Sequence, residues 1–310
     1  MNYIVFDLEW NQGSSRRDHL LHELPFEIVE IGAVKLDEAF RETATFHRLI
    51  RPKVYRHMHR ITGDIIHLTM KDLEKGDPFE TVAADFLAFC GDDFSFCTWG
   101  SLDLTELQRN FEYFHLPKLS EEPIPFYDVQ KLYALSRGEG ARRQHSLERA
   151  VTDLSITQDL PFHRAIHDAI YTARIFATLP EEVKKNISFN NFNAPKKRRQ
   201  EVHIVFDDYA KYISREFPSK EAMFLDREVS SMKCYLCHKN IRRKIKWFSR
   251  DGKQYLGAAR CDKHGYMRYK IRVNRTENGN CFCVKTSKFI SDADMDALRL
   301  RQEKVRKRSL

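Results

Sequence analysis

Hydrophobic and polar positions follow two rhythms along the first 180 residues, and the rhythm separates strands from helices. In YIVFDLEW (3–10), Tyr3, Val5, Asp7 and Glu9 share one face of a strand, while Ile4, Phe6, Leu8 and Trp10 share the other. Both faces begin apolar, the mark of a strand buried on two sides. EIVEIGAVKL (27–36) and TATFHRLIRP (43–52) read as two further strands. FETVAADFLAFC (79–90) switches to the 3.6-residue period, with Phe79, Val82, Ala83, Phe86, Leu87 and Cys90 on one side. FSFCTWG (94–100) reads as a strand closed by Gly100. The helix after it carries Leu104, Leu107, Phe111 and Phe114 on one face. Shorter helices are expected near 126–135 and 145–151. A strong one covers 165–179, with Ala169, Thr172, Ala173 and Phe176 in a stripe ended by Pro180. Three strands followed by alternating helix and strand predict a layered α/β fold.

The pattern weakens after residue 185. Residues 186–200 read as a linker, with Asn and Pro content and four consecutive cations at 196–199. This divides the chain into 1–185, a linker, and 201–310. No internal repeat or low-complexity tract interrupts either part.

Composition sharpens that division. An apolar fraction of 42% over 310 residues is globular and sufficient for one sizeable core plus a smaller unit. From Pro195 onward, 30 Lys and Arg face 14 Asp and Glu, a net charge of +16; the first 194 residues carry −8. A basic tail on an acidic body points to a polyanionic partner. No apolar run is long enough to cross a bilayer, and MNYIVFDLEW has no basic leader, so no membrane association and a cytoplasmic location are expected. Of seven cysteines, Cys90 and Cys97 sit in apolar contexts and five cluster after residue 230, a distribution that favours metal over disulfides.

The chemistry starts at Asp7 and Glu9. Two like charges at the end of a core strand are costly unless a cation or proton relieves them. A second station, Asp103, stands just past a strand end at the start of a helix. HRAIHDA supplies a third station, His163 and Asp168, where a late helix opens. Strand ends and helix starts meet at the carboxyl edge of α/β sheets, where such proteins hold their sites.

D-x-E on the first strand, an Asp after a later strand and H-x4-D opening a late helix resemble the DEDDh (DnaQ-like) 3′–5′ exonucleases. EIVEIGAV is similar to that family's second strand, HRITG (59–63) to its L-T-G-like turn, and HSLERAVTDLSI (145–156) to the segment before its final motif. The resemblance covers about residues 1–180. TWGSLD departs from the H-N-x-x-F-D form of proofreading subunits and is closer to the KapD-like branch and the animal exonucleases that trim structured RNA ends. DLEWN lacks the Thr that often follows D-x-E.

The resemblance implies a ribonuclease H-like exonuclease fold, a mixed sheet flanked by helices. Four carboxylates in one cleft suit hard divalent cations, Mg2+ or Mn2+. By resemblance there would be two ions, with Asp7 bridging both, Glu9 and Asp168 completing one, and Asp103 holding the other partly through water. His163 would accept the proton of the attacking water, with His167 its rival. The product would be a 5′-mononucleotide released from the free 3′ end of single-stranded RNA or DNA, RNA ahead of DNA on branch resemblance. Leu8 and Trp10 would wedge or stack the last base; the alternative for both is core packing.

In the basic part, CYLC (234–237) and CDKH (261–264) form C-x2-C-x23-C-x2-H. Cys234, Cys237, Cys261 and His264 can close a tetrahedral structural Zn2+ site. Between the pairs, Trp247, Phe248 and Tyr255 alternate with cations, either as a nucleic-acid grip or as the small core of a zinc-stapled hairpin. Cys281 and Cys283 are expected to be buried thiols. The end of the chain, from 292, reads as a helix with an acidic start and a basic finish.

Three functions fit these residues: a metal-dependent exonuclease, a catalytically weak nucleic-acid-binding or regulatory protein on the same fold, and a scaffold that recruits a protein through the zinc module. No carboxylate station is missing, which favours the first.

Overall fold

The computed structural model describes residues 1–13, 20–139, 143–276 and 278–307. It divides into two compact units, Met1–Ser120 with Ile124–Asn190, and Glu121–Pro123 with Asn191–Leu310.

The first unit is a six-stranded mixed sheet clothed by helices. Its strands are β1 (Asn2–Asn11), β2 (Glu27–Leu36), β3 (Glu42–Leu49), β4 (Phe94–Thr98), β5 (Ile124–Asp128) and β6 (Ser188–Asn190), in the spatial order β3-β2-β1-β4-β5-β6. β1 pairs antiparallel with β2 and parallel with β4. The helices are α1 (Arg60–Ile66), α2 (Met70–Leu73), α3 (Phe79–Cys90), α4 (Leu102–Tyr113), α5 (Val129–Ser136), α6 (Leu147–Asp153), α7 (Ala165–Thr178) and α8 (Glu181–Lys184). Strand parity decides which helix packs where. Ile4, Phe6 and Leu8 face the apolar stripes of α3 and α4, whereas Val5 faces α5, α6 and α7. Asp7 and Glu9 share Val5's side, so the acids of β1 lie on the α7 side of the sheet.

Three expectations about elements need correction. Residues 126–128 end a strand, and the helix begins only at Val129, because Asp128 caps it by accepting the Lys131 N–H at 3.0 Å. HRITG is not a turn: His59 stands at the N-cap position and α1 starts at Arg60. Ser188–Asn190, inside the stretch read as linker, pairs antiparallel with β5 and closes the sheet edge.

The second unit is an antiparallel sheet of β7 (Val202–Val205), β8 (Tyr209–Ile213), β9 (Arg242–Ser249), β10 (Gln254–Cys261), β11 (Gly265–Arg275) and β12 (Cys281–Phe289), ordered β7-β8-β12-β11-β10-β9. α9 (Lys220–Leu225), α10 (Arg227–Ser230) and α11 (Asp292–Lys307) complete it. Residues 308–310, the last of the expected basic helix end, lie outside the described residues. α11 packs Met295 and Leu298 against Ile245, Leu256 and Ala258 on one face. The other face buries Met232, Cys234 and Tyr269 near the cysteine knuckles. Gly257 makes that packing possible, since a Cβ there would sit 2.4 Å from the Met232 methyl and 3.2 Å from the Trp247 ring. Lys285 is buried beneath α10 and donates to the carbonyls of Glu228, Val229 and Ser231. Burial pushes its pKa down to about 8.

Cys281 and Cys283 are buried in the sheet, with Tyr212, Phe217 and Ile271. No helix among the described residues is long and apolar enough to cross a membrane.

Candidate active site

β1 delivers Asp7 and Glu9 to the edge of the sheet, and a register shift after Glu9 ends its regular pairing with β2. Such irregularities re-aim side chains at strand ends. Across the ladder, Asp7 lies opposite Gly32 and Glu9 opposite Glu30. Gly32 is the point where α7 crosses the sheet: a Cβ there would stand 2.1 Å from the Ile166 nitrogen and 2.2 Å from the Ala165 carbonyl carbon. The first turn of α7 therefore rests directly on β2, which brings Asp168 beside the β1 acids.

A buried ion pair fixes the same contact. Glu30, with no exposed surface, accepts two hydrogen bonds from Arg164 Nε at 3.2 Å each and one from its Nη2 at 2.9 Å. His47 Nε2 lies 2.6 Å from the same carboxylate. Burial opposes ionisation of Glu30, but His47 and Arg164 outweigh it and hold its pKa below the usual value. Arg164 is the N-cap of α7 and sits between His163 and Ala165. The pair thus anchors the backbone that presents both His163 and Asp168.

Ligand atoms of Asp7, Glu9 and Asp168 come within 4.8 Å of one another. Asp103, buried at the start of α4, is not one of those three. It nevertheless contributes the largest charge effect on Asp7, after burial itself. Burial is the leading cause at all four acids, and mutual repulsion adds to it. Asp7 is pushed well above the ordinary carboxylate range, Glu9 up to about 8, Asp103 to about 7 and Asp168 to about 6. At Asp168 the His163 backbone N–H, 3.3 Å from Oδ2, partly offsets the rise. Its other oxygen, Oδ1, is buried with no hydrogen-bond partner. An orphaned buried carboxylate oxygen beside two further carboxylates is the donor set a hard dication takes. These residues fit Mg2+ or Mn2+.

That electrostatics has a measurable consequence. Because the folded-state pKa values lie above the unfolded ones, the metal-free fold binds more protons than the unfolded chain between about pH 4 and 8. Its stability falls as pH rises through that window, and a dication must displace those protons. Mn2+ should therefore raise the thermal midpoint more at pH 8 than at pH 6. Equal shifts at both values would show that these acids do not share the ion.

His163 has a left-handed backbone, φ 64°, and a half-exposed ring whose Nε2 is 3.5 Å from Glu148 on α6. His167, its rival, is engaged differently: Nδ1 lies 2.8 Å from the Pro161 carbonyl oxygen. Trp10 leans on Phe26 at a centroid distance of 5.2 Å and is partly exposed. Leu8 is corrected as a base contact. It is 3% exposed and packs with the core under α3 and α4, because strand parity turns it away from the Asp7 face.

Sequence reading missed the residues that hold this edge in shape. Besides Glu30 and Arg164, Glu27 accepts the backbone N–H groups of Lys53, Val54 and Tyr55, the first at 2.6 Å and the last at 2.7 Å. Fully buried Asn11 donates to the Tyr55 and His57 carbonyls and accepts the His59 N–H at 2.9 Å. The one available signal was two glutamates inside the otherwise apolar EIVEIGAV. Gly32→Ala should cost about 3 kcal/mol or force α7 off the sheet, reducing activity and thermal midpoint together. A fully active, equally stable variant would refute the close approach.

In the second unit, Cys234, Cys237, Cys261 and His264 also bring one ligand atom each within 4.8 Å. The Sγ atoms of Cys237 and Cys261 are 3.7 Å apart, and His264 Nδ1 lies 3.3 Å from Cys234 Sγ and 3.6 Å from Cys261 Sγ. Zn–S bonds of about 2.3 Å and Zn–N bonds of about 2.0 Å at tetrahedral angles require edges of roughly 3.5–3.8 Å, so the set fits Zn2+. Backbone N–H groups of Lys263 and His264 overcome desolvation at Cys261 and draw its thiol down to about 6. Trp247 and Phe248 are partly buried against this unit's own residues. Trp247 donates its indole N–H to the Ser230 carbonyl at 3.0 Å, and Phe248 packs against the cluster of Met295 and Leu298. The hairpin uses its aromatics to build its own core.

Comparison with known proteins follows the first unit. DNA polymerase III PolC-type of Thermotoga maritima is 31% identical over 165 residues, and that of Thermotoga petrophila 30% over the same length. The matched stretch is 51% of this chain but spans only 11% of either polymerase. Among solved structures, the nuclease domain of 3′hExo, a DEDDh family member bound to rAMP, superposes with a TM-score of 0.50 at 17% identity, covering 61% of this chain and 96% of that one. The exonuclease family model RNase_T matches residues 4–176, more than half the chain and the whole stretch from β1 through the carboxylate stations to α7. The chain belongs to the RNase_T exonuclease family, of the DnaQ-like DEDD type.

Proposed function

We propose that this protein is a metal-dependent 3′–5′ exonuclease that releases 5′-mononucleotides from the free 3′ end of single-stranded nucleic acid, RNA before DNA. The observation that carries the reading is the convergence of Asp7, Glu9 and Asp168 within 4.8 Å, with the charge of Asp103 acting on Asp7. Family membership supports hydrolytic nuclease chemistry, and the rAMP bound by the 3′hExo nuclease domain favours a ribonucleotide at the 3′ end.

In this reading Asp7, Glu9 and Asp168 would hold the divalent metal, and Asp103 would assist from the start of α4. Bound Mg2+ or Mn2+ supplies Lewis-acid stabilisation of the attacking and leaving oxygens. His163 accepts the proton of the attacking water from a half-exposed ring whose Nε2 faces Glu148 at 3.5 Å. Arg164 and Glu30 act as positioning residues through the first turn of α7. Trp10 offers a partly exposed ring for the terminal base.

The test uses matched RNA and DNA strands, labelled at either end, with Mg2+ or Mn2+. Stepwise shortening from the 3′ end, with 5′-mononucleotide as product and RNA consumed faster, is expected. Internal cuts or 5′ shortening would refute the proposal. His163→Ala should lower turnover by about 10²–10⁴-fold without altering the Mn2+-induced rise in thermal midpoint. Unchanged turnover would reassign the base.

A further inference from the structure

The second unit contains a cavity of about 620 Å3 that the exonuclease chemistry does not use. Three segments meet there. Arg198 comes from the turn at Arg198–Gln200, Arg227 opens α10, and Arg243 lies on β9. Among the described residues, none of these three guanidinium groups makes a hydrogen bond or ion pair. Arg215, by contrast, is held between Glu201 and Asp226 at 2.7 and 2.9 Å. The cavity's one acid, Glu228, is already neutralised by Lys233 at 2.6 Å. Counting those five groups, the lining carries a net charge of +3. Ser231, also on the lining, has a buried hydroxyl oxygen with no partner.

The three arginines are exposed, and cations lining one concavity raise the local concentration of anions there. Arginine's planar fork matches a phosphate, and a hydroxyl adds a further donor. Cationic donors outnumber the single carboxylate of the lining, and a phosphodiester presents acceptors to them. The basic C-terminal part supplies a wider field that favours a polyanion over a single small anion. We infer that this cavity is a phosphodiester-binding site that grips a single-stranded nucleic acid outside the carboxylate centre. The identity of the strand rests on the function proposed above; the anion chemistry does not.

The site also depends on the knuckle. Met232 and Ile241 line it, and the Ile241 N–H bonds to the Met232 carbonyl at 3.1 Å across the loop that contains Cys234 and Cys237.

The test is fluorescence anisotropy on the full chain carrying Asp7→Asn, so that hydrolysis plays no part, with a short labelled single-stranded RNA in buffer free of magnesium and manganese. Salt is varied from about 50 to 200 mM. Adding Arg198→Gln, Arg227→Gln and Arg243→Gln should weaken binding by about 10–100-fold and lower the slope of log K against log salt by about 2, near 0.7 per lost contact. Removing equal charge from α11, with Arg301→Gln, Lys304→Gln and Lys307→Gln, should change little. Equal losses in both triple variants would reduce the effect to net charge and overturn the site, as would no loss in the first. If inorganic phosphate binds the parent and not the cavity variant while RNA binding is unaltered, the cavity takes a free anion and the inference fails. Should the triple variant lose its thermal transition, each single variant reads the same slope change at about one-third the size. A wild-type chain that degrades no strand would refute the exonuclease reading and leave this result standing.

Discussion

Asp7→Asn will stop nucleotide release, by at least about 10³-fold, the several kcal/mol of transition-state stabilisation that bound metal supplies. It should also yield a metal-free protein more stable at pH 8 than the wild type. Both effects come from the same burial. Asp7 is desolvated and lies in the field of Asp103, Glu9 and Asp168, so ionising it costs the fold free energy unless a cation is present. Its folded-state pKa lies above the unfolded value. The cost is therefore absent below about pH 4 and grows as pH rises. Asparagine keeps the shape and removes the charge. The gain in thermal midpoint should vanish near pH 4, and Mn2+ should no longer stabilise the variant. Measuring hydrolysis and melting on one preparation checks both halves. A variant that still releases nucleotides would end the metal-site assignment. One that melts below the wild type at pH 8 would mean that Asp7 is structurally satisfied without metal.

Cys261→Ser is expected to abolish zinc binding and to unfold the second unit. Cys261 is the thiol most ready to ionise, through the backbone N–H groups around it, and it lies in contact with both Cys237 and His264. Zinc sites of this ligand class bring about 10–16 kcal/mol to small zinc-finger peptides, more than the net stability of most domains. The Met232–Cys234–Tyr269 cluster around the knuckles would lose its anchor. Native mass spectrometry should find one zinc ion per wild-type chain and none in the variant. Limited proteolysis should then cut within residues 201–310 while the exonuclease unit, which has its own cores, persists. A wild-type chain without zinc, or a variant of undiminished protease resistance, would show that the four side chains are held by packing alone.

These expectations draw unequally on sequence and structure. β2 (Glu27–Leu36) and α3 (Phe79–Cys90) were legible to the residue because period and breakers coincide at both ends. β5 was not: IPFYD is too short to display a period, and only its pairing with β4 and β6 makes it a strand. α1 was hidden because its seven residues bury only Thr62 and Ile66. The roles of Leu8, Trp247 and Phe248 stayed open between ligand and core for one reason. Composition places an aromatic or apolar side chain near a site, but strand parity and the helix packed above decide whether it faces the ligand or the core.

By itself, then, the chain determined the longer elements of the first unit, which acids stand at strand ends and helix starts, and which cysteines pair by spacing. Those are local properties, set by periodicity and by the steric and charge preferences of neighbours in sequence. Only tertiary structure decided that α7 rests on Gly32, that Glu30 grips Arg164 from 134 residues away, and that Asp168 thereby reaches Asp7 and Glu9. It also decided that three arginines from distant segments line one cavity. Contacts of that kind depend on close approach and burial between segments far apart in the chain, and no local pattern encodes them.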